Sequence, residues 1–537
     1  MVMVMSRQIS LVCFSVLWIG SVCQSFSQTS EEAAGSLLLV NGRILTMIGD
    51  DVLMGNVLMN RGRITVVGDE VGAIPPGTEI IDLDGRMVIP GLIDSHVHFV
   101  RAGLRPGHDM RSIEAARSIA GFQTALTQKA ASLPEGELIT AIGGWSPVQF
   151  AENRFPTLAE LDAAAPDHPV YIHLRAYGPA VTNTLARRLL QDGGINVGED
   201  GMINTRDDAI AAYDYLKSHQ TDQNRQRNTR DLMRYVNSLG LTMVIDAAGT
   251  NRPGAQLLVP ERDYQSVLAL WKQQEMTVRV RLMFMSWDLN VGDGSGDSDV
   301  EQRVRNSFMG FGDDMFRVAG LGEHTVNDSM SSSFYAATSL AARTGWLLQE
   351  HSGTAEENDA HILAFEAAND IAPISGLHWS LTHVHEINTE IIERLKALGA
   401  GVTVQNQRFY STNSNRAGPP FRLIVDSGIP VGAGTDSTVG HPMNPWYSLY
   451  YMVTGKNVLG QSINADQKIT RLEALRLYTG GSAWFSHDED VLGSIEVGKL
   501  ADLVVLSDDY LAVPEEQILN LSSVLTVVGG KIVYREL

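Results

Sequence analysis

Through the middle of the chain, short apolar runs alternate with helix-patterned segments, and few folds accept that order. The strand-like runs are IPGLIDSHVHF (89–99), PVYIHL (169–174), LTMVID (241–246), VRVRLMFM (278–285) and FRVAGLGE (316–323), then WLLQEH (346–351), WSLTHVH (379–385), GVTVQN (401–406) and IPVGAGTD (429–436). Segments such as ALTQKAASL, NTEIIERLKALG and RLEALRLYTGG separate them with helical spacing. Strand–helix alternation of this length predicts a parallel α/β fold, a (β/α)8 TIM barrel first among them. Nine strands are one more than that barrel uses, so one belongs to an insertion. The interval 91–487 also exceeds the roughly 250 residues of a bare barrel. Insertions are expected at 103–166, 180–240 and 286–315. The acidic glycine stretch GDGSGDSD (292–299) fits no standard calcium loop and reads as a solvated turn.

Both ends have a different texture. Residues 36–90 read as short strands joined by Asn-Gly, Arg-Gly and Asp-Gly turns. SIEVGKLADLVVL and VLTVVGGKIVY near the C-terminus look alike. The expectation is a small composite β-sandwich, 36–90 with 488–537, beside a barrel at 91–487.

The first 27 residues read as a secretory signal peptide. Arg7 precedes an apolar run from Ile9 to Ile19, and Ser25-Phe26-Ser27 offers a small-x-small cleavage site. The run is short against the ~20 residues that span a bilayer, and an uncleaved anchor is the competing reading. A secreted or periplasmic location follows, with no membrane association after removal of the signal. Cys13 and Cys23 both fall inside this segment, and they are the chain's 2 cysteines. The mature protein then has no disulfide, no thiolate nucleophile and no Cys-ligated zinc. No Gly-x-Ser-x-Gly nucleophile elbow occurs. The net charge of −21 repels nucleic acid and anionic lipid, so neither is an expected partner.

The chemistry concentrates at strand ends. His96 and His98 lie two apart on a strand, so their side chains share a side. His351 closes WLLQEH, His383 lies at the end of WSLTH, and Asp436 closes VGAGTD. In a barrel these ends converge on one mouth, where active sites are built. Neutral imidazoles with a carboxylate suit Zn, Fe, Ni or Mn.

On those residues the chain resembles the amidohydrolase superfamily. VIPGLIDSHVHF is similar to its first-strand signature, GAGTDS to its last-strand signature, and TGGSAWFSHDEDVLGSIEVGKLADLVVL to its C-terminal signature. GGWSPVQF, PTLAELDAAAPDHPVYIHLRAYG and LKALGAGVTVQNQ point to the long family 3 branch, which includes N-substituted formamide deformylase-like enzymes. The resemblance covers about 36–537. It implies that His96, His98 and Asp436 bind one metal and that His351 and His383 bind a second. An anion, often a carboxylated lysine, would bridge the two. Zinc is the expected metal, as one or two ions. Asp436 would also be catalytic, moving the proton of the attacking water to the leaving amine.

Three positions depart from the family pattern. FRVAGLGEHTV contains no lysine, and Glu323 is the carboxylate at that strand end. Gly178-Pro179 stands where a Gly-His is usual. Thr382 precedes His383 where the branch often has Glu. Glu323 is therefore a candidate bridge between two metals, a partner of a histidine in a one-metal site, or a paired strand-end charge.

Substrate-binding candidates are Trp145, Arg175 and Tyr177, together with His324 and His385, which flank the proposed ligands. Tyr410 faces the same opening, while Arg408 reads as a solvated charge. His108, His168, His173, His219, His361, His378, His441 and His487 read as ordinary histidines, His441 with the least ground. The expected activity is hydrolysis of an amide, N-formyl or cyclic amide C–N bond of a small molecule by a metal-activated water. A deaminase, an esterase or a non-catalytic metal-containing binding protein on the same scaffold is the alternative. Whether the chain forms a homo-oligomer stays open.

Overall fold

The computed structural model describes residues 35–175, 178–247, 264–286, 291–296, 298–326, 328, 330–413, 418–437 and 441–537. The signal segment 1–27 lies outside the described residues. Among those described, no helix is long and apolar enough to cross a membrane.

Eight parallel strands make the barrel: β1 (Leu92–Val97), β2 (Leu241–Asp246), β3 (Arg279–Phe284), β4 (Phe316–Leu321), β5 (Gln349–Ser352), β6 (Ser380–His383), β7 (Gly401–Gln405) and β8 (Val431–Gly434). β1 to β4 pair in sequence, and so do β5 to β8. Backbone bonds close the two seams. Leu321 N donates to Leu347 O at 2.9 Å and His351 N to Glu323 O at 2.8 Å, joining β4 to β5. Asp436 N donates to His96 O at 2.8 Å and His98 N to Ser437 O at 2.7 Å, joining β8 to β1. Gly434 permits the second closure. A Cβ there would meet His96 N at 2.6 Å and His96 O at 2.7 Å, so no larger residue lets β8 approach β1.

Helices cover the outside, and their starts are written locally. Thr354 and Glu357 form a reciprocal cap at the head of helix Ala355–Ile371, which buries Ile362, Phe365 and Ala368 against the barrel. Asn388 caps helix Thr389–Ala397 through Ile391 N, and Ser331 caps Ser332–Thr344 through Phe334 N.

The ninth strand, within PVYIHL, lies in an insertion between β1 and its helix Asp222–Ser238. There Val170–His173 joins His108–Asp109, Ile139–Ile142, Ala180–Thr182 and Met202–Ile203 in a separate five-stranded sheet. The expected insertions 103–166 and 180–240 are thus one unit, cut short by a helix that belongs to the barrel. The stretch 286–315 likewise carries helix Asp299–Asn306 of the barrel layer. Apolar periodicity cannot separate these cases, because the inserted strand is as buried as a barrel strand.

The two chain ends meet in one eight-stranded sheet, where Met87–Pro90 pairs antiparallel with Leu503–Leu506. Leu37, Leu39, Val57, Met59, Val88, Leu503, Leu525 and Val527 form its core.

The same C-terminal segment seals the barrel floor with buried ion pairs. Arg279 donates to both Asp502 oxygens at 2.8 Å. Arg281 donates to Asp488 at 2.7 and 3.0 Å, and Arg317 reaches the same carboxylate at 2.8 Å. Removing one member strands a buried charge. Asp488→Ala is expected to lower unfolding free energy by about 3–5 kcal/mol in denaturant titration. A loss below about 1 kcal/mol would show that the floor tolerates an unpaired Arg281.

Candidate metal centre

Two buried carboxylates and a ring of imidazoles converge at the C-terminal mouth. His96 is the last residue but one of β1, and His98 follows the strand as the N-cap of helix Phe99–Gly103. Asp436 sits two residues past β8, Glu323 two past β4, His351 within β5 and His383 at the end of β6. Glu323 Oε2 lies 2.9 Å from His96 Nε2, 3.5 Å from His383 Nε2 and 3.7 Å from His351 Nδ1. Its Oε1 lies 3.6 Å from His324 Nε2 and 3.8 Å from His98 Nε2. Asp436 Oδ1 is 3.4 Å from His98 Nε2 and 3.8 Å from His96 Nε2.

The backbone is strained at this place. His383, Val384 and Asp436 adopt φ of 75°, 39° and 50°. Such conformations cost non-glycine residues roughly 1–3 kcal/mol each and cluster where function demands them. Asp94 holds the β8 end: Thr435 Oγ1 donates to its Oδ2 at 2.6 Å, and His96 N donates to Oδ1 at 3.0 Å.

Electrostatics keeps the carboxylates ionised. Burial works to raise Glu323, but the imidazoles of His351, His383 and His96 that face it override this and hold the carboxyl well below its usual range. Asp436 is held low in the same way by His98, His383, His96 and His441 against burial. For His96, burial is outweighed by Glu323 and Asp436, which push it up to about 9. Burial brings His383 down to about 4, reinforced by His351, and brings His324 to about 4. The last two imidazoles stay neutral near pH 7, with a lone pair to offer.

Amides fix which nitrogen faces the cluster. Gln349 Nε2 donates to Ser95 O at 3.3 Å, so its Oε1 accepts from His96 Nδ1 at 2.6 Å. Gln405 Nε2 donates to Thr382 Oγ1 at 2.9 Å, which turns its Oε1 to His383 Nδ1 at 2.8 Å, and Gln407 Nε2 contacts the same ring nitrogen. Both histidines then present Nε2 inward. Gln407 Nε2 donates to Asp436 Oδ2 at 3.3 Å.

The donor set fits a divalent metal. His96 Nε2, Glu323 Oε2 and His351 Nδ1 are buried without a hydrogen-bond partner, an arrangement that costs energy unless something satisfies them. Among the described residues, His96, His98, Glu323 and Asp436 each offer one ligand atom, all within 4.8 Å of one another. Glu323, His324 and His351 form a second such group sharing Glu323. The His383 ring centre is 4.3 Å from that of His351 and 5.1 Å from that of His96.

A model of the amidohydrolase family matches residues 79–534. The chain belongs to the amidohydrolase family. It is 24% identical over 552 residues to the N-substituted formamide deformylase of Arthrobacter pascens, spanning 93% of this chain and 98% of the relative. It is 24% identical over 517 residues to the putative amidohydrolase YtcJ of Bacillus subtilis (strain 168), spanning 86% and 91%. An uncharacterised metal-dependent hydrolase from Pyrococcus horikoshii superposes with a TM-score of 0.61 at 20% identity, covering 90% of this chain and 99% of that one. Atrazine chlorohydrolase TrzN from Arthrobacter aurescens TC1, complexed with zinc, gives 0.57 at 16%, covering 93% and 95%. These structural likenesses show the fold.

The remaining sequence candidates in this amidohydrolase divide. His324 stacks on His351 at 5.0 Å and belongs to the mouth. His385 lies 6.2 Å from His383, ring to ring. Arg175 is exposed, two residues past the inserted strand Val170–His173, and Tyr177 lies outside the described residues. Trp145 does not face the opening. It is 1% exposed within the insertion core, packed on Phe150 and Phe155, with Nε1 donating to His173 O at 3.1 Å. A large ring gains more from that aromatic cluster than from solvent. Arg408 is buried rather than solvated and donates to Asn413 O. Tyr410 donates to Gly144 O at 3.2 Å, tying the barrel to the insertion.

Sequence reasoning missed Gln349, Gln405 and Gln407, and it left His441 as ordinary although its Nδ1 lies 3.7 Å from Asp436 Oδ2. A glutamine inside the apolar run WLLQEH was the available signal, because a buried amide needs partners. Gln349→Leu removes the acceptor that orients His96. Zinc affinity, measured by titrating metal-free protein, is expected to fall about 10–100-fold. Unchanged affinity would mean that Gln349 does not orient a ligand.

Proposed function

We propose that this amidohydrolase is an exported enzyme that cleaves an amide, N-formyl or cyclic amide C–N bond at a divalent-metal centre held by His96, His98, Glu323, His351, His383 and Asp436. The carrying observation is Glu323, whose single carboxylate reaches His96, His98, His351 and His383 within 3.8 Å. That position suits the anionic bridge two cations need, in a strand lacking the family's usual lysine. The whole-length similarity to the N-substituted formamide deformylase supports an N-acyl or N-formyl substrate. A bound divalent ion supplies Lewis acidity toward the carbonyl and lowers the pKa of water toward ~7.

Asp436 does the proton work. Its carboxylate stays anionic, so it can accept the proton of the attacking water. Gln407 holds Oδ2 while Oδ1 faces His98, which sets the direction of that oxygen. As the C–N bond breaks, Asp436 returns the proton to the leaving nitrogen, and a carboxylate and an amine result. His324 and His385 stand beside the ligands, placed to contact substrate.

Asp436→Asn keeps the shape and loses the base, so kcat is expected to fall about 10²–10⁴-fold at retained fold. Near-wild-type kcat with metal bound would remove Asp436 from the proton path. Glu323→Gln is expected to take bound metal, counted by elemental analysis, from two ions to one or none. One ion in both proteins with activity mostly kept would eliminate the bridge. Export rests on the apolar run Ile9–Ile19 and the Ser25-Phe26-Ser27 site. N-terminal sequencing of exported protein is expected to begin near Gln28, and an intact Met1 in cytosolic material would overturn it.

A further inference from the structure

Glu323 stands where the resemblance leads one to expect a carboxylated lysine, and its side chain is shorter, so the main chain has to bring the carboxylate to the centre. Backbone contacts on both sides do so. Gly322 N donates to Phe284 O at 2.9 Å and Ser286 N to His324 O at 2.7 Å, which ties the segment after β4 to the end of β3. On the β5 side, Glu323 O accepts from His351 N at 2.8 Å. Gly322 lies so close to β5 that a Cβ there would meet Gln349 O at 2.2 Å, an approach that only glycine allows.

One side chain completes this lock. Gln349 and His351 sit two apart on β5 and face His96 and Glu323, so Glu350 between them points to the other side of the strand. Its Oε2 accepts from Thr325 Oγ1 at 2.9 Å and its Oε1 from Thr325 N at 3.4 Å. Glu350 and Thr325 are each 1% exposed. Among the described residues, no arginine or lysine pairs with Glu350. Burying a carboxyl group without a cation is costly, and both oxygens of this one serve a single residue, two positions past Glu323.

We propose that Glu350 is a positioning residue of the metal centre: through Thr325 it holds the segment after β4 against β5, and so sets where the Glu323 carboxylate meets the metal. This rests on the reading of Glu323 as a metal-binding carboxylate. The probe is cobalt(II), titrated into metal-free protein and followed by its visible absorption, which reports ligand geometry. Glu350→Leu is expected to weaken cobalt binding about 10–100-fold, the range for a group that supports a metal ligand. Glu350→Gln keeps an acceptor for Thr325 Oγ1 and is expected to stay near wild type. Because Glu350 acts through Glu323, the double variant Glu323→Gln with Glu350→Leu is expected to bind cobalt no more weakly than Glu323→Gln alone. Losses that add would overturn the proposal, since Glu350 would then act by another route. So would a Glu350→Leu protein that melts at a lower temperature but keeps the cobalt affinity and spectrum of wild type, which marks a role in the fold alone. A Glu350→Gln protein as weak as Glu350→Leu overturns it as well. If Glu350→Leu does not fold, Thr325→Val removes the same hydrogen bond from the other side at nearly equal shape, and an unchanged cobalt affinity there is decisive against the proposal. Glu323→Gln separates the two readings. Unchanged cobalt binding in that variant sinks the metal-bridge reading and the proposal with it, whereas weakened binding there beside an unaffected Glu350→Leu sinks the proposal alone.

Discussion

Two carboxylates buried within reach of several imidazoles are the constraint around which this protein is arranged. Burying Glu323 and Asp436 beside each other is costly, and the surrounding histidines offset that cost only where their nitrogens are aimed. The aiming comes from the barrel. Glu323 O accepts from His351 N and His96 O accepts from Asp436 N, so the hydrogen bonds that close the two seams also set the spacing of the site. The positive φ values at His383, Val384 and Asp436 persist because closure over-determines them.

The two ends of the barrel treat buried charge differently. The floor pairs Asp502 and Asp488 with arginines, which never lose their proton and neutralise permanently. The mouth surrounds its carboxylates with histidines, whose inward nitrogens can be neutral and available. A permanent cation beside Glu323 would exclude a metal, whereas an imidazole can coordinate one. The floor therefore reads as structure and the mouth as chemistry, as barrel architecture in general divides them.

Much of this was legible in the residues. An ionisable side chain that ends an apolar run is conspicuous, which is why His96, His98, His351, His383, Asp436 and Glu323 stood out before any coordinates. The superfamily-like text on β1, on β8 and near the C-terminus carried the family and the fold. What stayed hidden has physical causes. Gln349 and Gln405 act through which amide atom faces a ring, and that is decided by Ser95 O and Thr382 Oγ1, residues with no pattern of their own. Trp145 looked like a pocket residue because its loop was expected to face the opening, yet the insertion has its own core to fill. His441 is separated from Asp436 by only a few residues, but a sequence does not show that its ring lies against that carboxylate. The ninth strand failed for the same reason: PVYIHL is buried on both faces, and burial does not reveal which sheet it joins.

The insertion is more than an appendage, because one buried carboxylate binds it to the barrel mouth. Glu114 accepts from Arg111 Nη1 at 3.1 Å within the insertion, from Tyr235 OH at 3.0 Å on the first barrel helix, and from Met443 N at 2.9 Å in the segment after β8. Arg111 in turn holds Gly143 O at 2.9 Å and Asp109 Oδ1 at 3.0 Å, next to the loop whose Gly144 O accepts from Tyr410. Burial pushes Glu114 up to about 7 against the lowering pull of Arg111 and Tyr235. Two residues before Met443 stands His441, whose Nδ1 lies 3.7 Å from Asp436 Oδ2. Glu114 thus joins three parts of the chain, the insertion, the first barrel helix and the segment after β8, at one buried carboxylate.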